Sequence, residues 1–108
     1  MGIKQTPLPS HLNAALPAIR SELIAYLNLE ENAEFGSEEL NFKSHFTFDH
    51  RVGFVVFEYM SEEGAGLAFL QYPIRGKWND GCTVSWPRTP DQTIEWSILE
   101  YLEIQPAG

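Results

Sequence analysis

Cysteine is nearly absent. The chain has only Cys82 in 108 residues, which excludes an intramolecular disulfide and any centre built from several thiolates. A secreted domain of this size more often carries paired cysteines, so a reducing cytoplasm is the expected compartment. Basic residues are scarce too: seven Lys and Arg stand against fifteen Asp and Glu, a net charge of −8. That balance opposes binding to nucleic acid or anionic lipid. No run of about 18 apolar residues occurs, so no membrane-spanning helix is expected. The N-terminal stretch lacks the apolar centre of a secretion signal. No G-x-G-x-x-G loop is present to cradle a phosphate, and no cofactor is expected. The three histidines, His11, His45 and His50, are too scattered to suggest a metal site.

What is present suits one domain. Hydrophobic residues make up 44% of the chain, enough for a single core at this length. Residues 1–9, with Pro7 and Pro9, read as a flexible arm, and 10–108 as one domain. Leu12, Leu16, Ile19, Leu23, Tyr26 and Leu27 recur every three or four residues and form one helical stripe. Pro17 interrupts it. The helix therefore starts either with Asn13 as its N-cap, or at Pro17 after a short turn capped by Ser10, and is firm over 18–29.

The period then changes to two. Leu40, Phe42, Phe46 and Phe48 alternate with Asn41, Lys43, His45, Thr47 and Asp49, the pattern of a strand with one wet face. Asp49–Arg51 forms a turn. Gly53–Met60 is apolar on both faces and reads as a central strand, followed by a turn over Ser61–Gly64 and a strand over Leu67–Tyr72. Ile74–Trp78 and Gly81–Trp86 flank Asn79-Asp80 and read as a hairpin. Thr89-Pro90 reads as the start of a last helix, with Ile94, Ile98, Tyr101 and Leu102 as its stripe and Trp96 and Leu99 on its flanks. The expected fold is α+β. An antiparallel meander of four to five strands carries the N-terminal and C-terminal helices on one face.

Chemistry is sparsely signalled. Cys82, on the same strand face as Val84 and Trp86, reads as a small inward-facing filler. A Cys82–His45–Asp49 triad would require the polar sheet face to meet the thiol, which the alternation opposes. Interaction is better signalled. Glu30, Glu31, Glu34, Glu38 and Glu39 form an acidic run able to steer a basic partner. Trp78, with Arg75, Lys77 and Asp80 on the hairpin, supplies the residue types of a binding hot spot. The leading expectation is an inhibitor or immunity-like protein, of the bacterial or phage kind, that neutralises a basic protein such as a toxin or nuclease. A small dimeric chaperone or adaptor and a thiol enzyme using Cys82 are the alternatives.

Overall fold

The computed structural model describes residues 2–30, 40–61, 64–87 and 91–104. The elements run β1 (Ile3–Gln5), α1 (Ser10–Glu30), β2 (Asn41–Phe48), β3 (Val52–Ser61), β4 (Gly64–Pro73), a 3-10 turn (Trp78–Asp80), β5 (Cys82–Pro87) and α2 (Ile94–Ile104). The five strands form one antiparallel sheet in the order β1-β2-β3-β4-β5. This is the α+β meander expected. No described helix is long and apolar enough to cross a membrane.

The helices lie on opposite faces of the sheet, not on one. The cause is β3, whose two faces are both apolar. Val55, Phe57 and Tyr59 pack with Ala68, Leu70 and Tyr72 of β4 under Leu12, Ile19, Leu23 and Leu27 of α1. Phe54 and Val56 pack with Leu67 and Phe69 under Ile98 and Tyr101 of α2. A strand with alternating apolar side chains on both faces must be covered twice. Each helix has a single apolar stripe, so each covers one face.

α1 is one continuous helix through Pro17. It begins after Pro9, whose carbonyl accepts from the amides of Leu12 and Asn13 at 3.0 and 2.9 Å. The expected starts at Asn13 or Pro17 are therefore too late. Pro17 is exposed, and buried Leu12 and Ile19 on either side hold both halves to the same core. Packing here outweighs the lost backbone bond.

β2 carries a bulge. Phe42 pairs with Phe57, but Ser44 pairs with Val56, so Lys43 is an extra residue. An extra residue inverts the side-chain alternation beyond it. Leu40 and Phe42 therefore pack on the α1 side, whereas Phe46 and Phe48 pack on the α2 side. The single apolar face expected from Leu40 to Phe48 is split between two cores. His45 is moved from the expected wet face onto the buried α1 side, at 3% exposure. Ser44 is buried at the bulge, and its hydroxyl has no partner among the described residues.

Two further elements differ from expectation. Residues 3–5, placed in a flexible arm, form β1 and pair with Phe46, Thr47 and Phe48. Residues 74–78 are not a strand. Lys77–Gly81 coils into the 3-10 turn, with Asp80 N–H donating to Lys77 O and Gly81 N–H to Trp78 O. The fifth strand of the meander is thus the N-terminal one. α2 is capped by Thr93, whose hydroxyl accepts from the Trp96 amide at 3.0 Å; Thr89 and Pro90 lie outside the described residues.

Candidate functional site

The acidic run over Glu31, Glu34, Glu38 and Glu39 lies outside the described residues, and Glu30 is described only as the last residue of α1. The Trp78 group is described and is looser than expected. Arg75, Lys77 and Asp80 are exposed, but the Trp78 side chain is drawn partly into the core beneath α1. Cys82 is exposed, correcting its assignment as a core filler. The alternation was read correctly: Cys82 pairs with Gln71 on the α2 side of the sheet. Its Sγ faces Gln71 Oε1 at 4.0 Å, and the side chain remains exposed. His45 faces the α1 side, so the sheet separates it from Cys82 and no such triad assembles. Among the described residues no group of three or more His, Cys, Asp or Glu could hold a metal ion.

Two surfaces stand out instead. The first is the outer face of α2. At 100° per residue, Glu95, Trp96, Leu99 and Glu103 fall on one arc, opposite buried Ser97, Ile98 and Tyr101. Trp96 is 46% exposed and Leu99 36%, and Glu95 and Glu103 beside them are exposed. The helix is fixed beneath this arc by two bonds. Trp86 Nε1 donates to Glu100 Oε1 at 3.0 Å, and the Tyr101 hydroxyl donates to Gln71 Oε1 at 2.8 Å. Burial pushes the Tyr101 phenol up to about 12, with smaller contributions from Cys82 and Tyr26, so it remains a donor at neutral pH.

The second surface is a cleft of about 410 Å3 on the α1 side, between β1, the segment leading into α1, the β2–β3 turn and the end of β4. His45 forms its floor. Its Nδ1 shares a hydrogen bond with Thr6 Oγ1 at 2.9 Å, and its Nε2 one with the Tyr72 hydroxyl at 2.6 Å. Gly53 makes the second contact possible. Thr47, Gly53 and Tyr72 lie abreast on β2, β3 and β4, and the Tyr72 ring occupies the space a β-carbon on Gly53 would take. The glycine lets a tyrosine on one strand reach a histidine two strands away.

Burial pushes the His45 imidazole below its usual 6.5. A hydrogen bond with the Thr6 backbone opposes this, and His11 adds a smaller downward push. Burial also raises the Tyr72 phenol to about 12. At neutral pH the floor is therefore an uncharged imidazole between two hydroxyls. Lys4, whose β1 position pairs with Thr47, and His50 stand at the rim. His50 is presented by a turn in which Asp49 and His50 have φ of 53° and 57° and the Arg51 amide donates to Phe48 O at 3.1 Å. Two consecutive left-handed residues are what a type I′ hairpin turn requires.

Sequence reading missed both surfaces for separate reasons. The cleft depends on the bulge at Lys43 and on a three-residue strand. The α2 face was visible as flanking Trp96 and Leu99, but not their exposure. No known family model matches the chain, and no curated protein and no solved structure is detectably similar to it.

Proposed function

We propose that the protein acts by binding another protein, a basic one, through the outer face of α2, in the manner of an inhibitor or immunity-like protein. The observation that carries this reading is the exposed Trp96–Leu99 pair set between the carboxylates of Glu95 and Glu103. An aromatic anchor beside an aliphatic one, rimmed by charge, has the make-up of a binding hot spot. The net charge of −8 favours encounter with a positive partner and speeds it at low salt. The same charge argues against a second copy as the occupant, since a symmetric pairing would bring carboxylates of like sign together. The exposed Arg75, Lys77 and Asp80 are secondary contacts in this reading.

The test compares two baits in the native host extract, the wild-type chain and Trp96→Ala/Leu99→Ala. The expected result is a basic protein retained by the first and lost from the second. Its affinity should fall as salt is raised, and fall further in Glu95→Lys/Glu103→Lys. Equal retention by both baits, or binding indifferent to salt and to charge reversal, overturns the reading.

A further inference from the structure

The cleft on the other face of the sheet has a chemistry of its own, independent of protein binding at α2. Its volume of about 410 Å3 falls within the range of small-molecule sites, roughly 300–1,000 Å3. The formal charge on its described lining is the Lys4 ammonium. Lys4 and His50 contribute the ionisable groups at the rim, and none of the described residues lining the cleft is acidic. On a chain with more than twice as many acids as bases, a cleft lined by a lysine and no acid departs from the average. The nearest carboxylate in the sequence, Asp49, is engaged with the Gly2 amide at 3.1 Å. Pro7, Pro9 and Ile74 supply apolar walls.

The floor adds a directed donor. A neutral imidazole donates from one nitrogen and accepts at the other. If Nδ1 carries the proton, it donates to Thr6 Oγ1 and Nε2 accepts from Tyr72, which leaves the Thr6 hydroxyl proton unspent. If Nε2 carries it, it donates to the Tyr72 oxygen and Nδ1 accepts from Thr6, which leaves the Tyr72 proton unspent. Either way one hydroxyl at the cleft keeps a hydrogen to give. The depressed basicity of His45 keeps the imidazole neutral at pH 7.

We propose that this cleft binds a small organic carboxylate with a compact apolar body. The carboxylate lies between Lys4 and His50, one of its oxygens accepts from the Thr6–His45–Tyr72 chain, and the apolar part rests on Pro7 and Ile74. A carboxylate offers two acceptor oxygens and a charge, which match the donors of the cleft and the Lys4 ammonium. A neutral ligand of the same shape leaves the charge unanswered.

The test uses benzoate and its uncharged counterpart benzamide as probes, followed by amide chemical shifts of the labelled protein. Benzoate is expected to give saturable shifts at Lys4, Thr6, His45 and Thr47, with a dissociation constant on the order of millimolar, as befits so small a ligand. Benzamide and the Lys4→Ala variant should each bind about fivefold more weakly, the loss of one partly exposed charge interaction. Lys4 is exposed on a sheet edge, so its replacement leaves the fold intact; His50→Asn, which tolerates the left-handed turn, is the second variant and should also weaken binding. Equal affinity for both probes, affinity unchanged in both variants, or shifts located away from the cleft overturns the proposal.

Discussion

The Tyr72 hydroxyl lies 2.6 Å from His45 Nε2, with Gly53 of the intervening strand directly beneath the tyrosine ring. This contact spans three strands and depends on one residue having no side chain. Gly53→Ala is expected to push Tyr72 aside and leave a buried imidazole nitrogen without its partner. The cost should be about 1–3 kcal/mol. In a Tyr72→Ala background the same substitution should cost much less, since the ring is no longer there to collide. Urea unfolding of the four proteins of this cycle measures the coupling; additive costs would show that the glycine and the tyrosine are independent.

His45 also gives the fold a pH dependence. Its folded pKa lies below 6.5 because burial penalises the charged ring. Well above pH 6.5 both folded and unfolded chains hold it neutral, and it has no effect. As pH falls through 6.5 the unfolded chain takes up the proton first, so stability declines until the folded ring titrates as well. The slope from this one group is at most ~1.4 kcal/mol per pH unit. Unfolding midpoints at pH 7.5 and 5.5 should therefore diverge more for the wild type than for His45→Gln. An identical divergence in both proteins would assign the loss to other groups.

Pro17 sits exposed within a 21-residue helix. Pro17→Ala restores an amide donor and removes the ring from the preceding turn, so α1 should gain stability. The full penalty of an interior proline is ~3 kcal/mol, and the helix has already adapted to it, so a gain of ~1–2 kcal/mol is expected. Thermal unfolding of the variant reads it directly. A lower midpoint would mean that the proline ring contributes more to α1 than its missing amide costs.

Much of this architecture was legible residue by residue. The double-sided apolar run of β3, the stripes of α1 and α2 and the turn at Asp49–Arg51 all follow from periodicity. The same β3 run carried the clue that two helices would need two faces, and it is the pairing pattern that makes this plain. Lys43 could not be read as a bulge, because an extra residue leaves no mark in a polar-apolar alternation until the partner strand is known. β1 escaped because three residues before two prolines hold no period, and their partners, Phe46–Phe48, lie some forty positions away. Alternation puts Cys82 on the α2 face, but it cannot tell that the side chain there is exposed. The cleft combines two of these unreadable features, so no spacing rule could have found it.

β1 has a consequence for how that cleft exists in time. It is a three-residue edge strand, and it delivers both Lys4 and, one residue beyond its end, the Thr6 hydroxyl and the Thr6 amide that donates to His45 O at 3.0 Å. A short edge strand is among the first parts of a sheet to detach. When β1 lifts, the rim loses its lysine and the histidine loses one of its two partners in the same movement. Admission to the cleft and the docking of the chain's first residues are therefore one equilibrium, and an occupant would act as a stitch that fastens the N-terminus to the sheet.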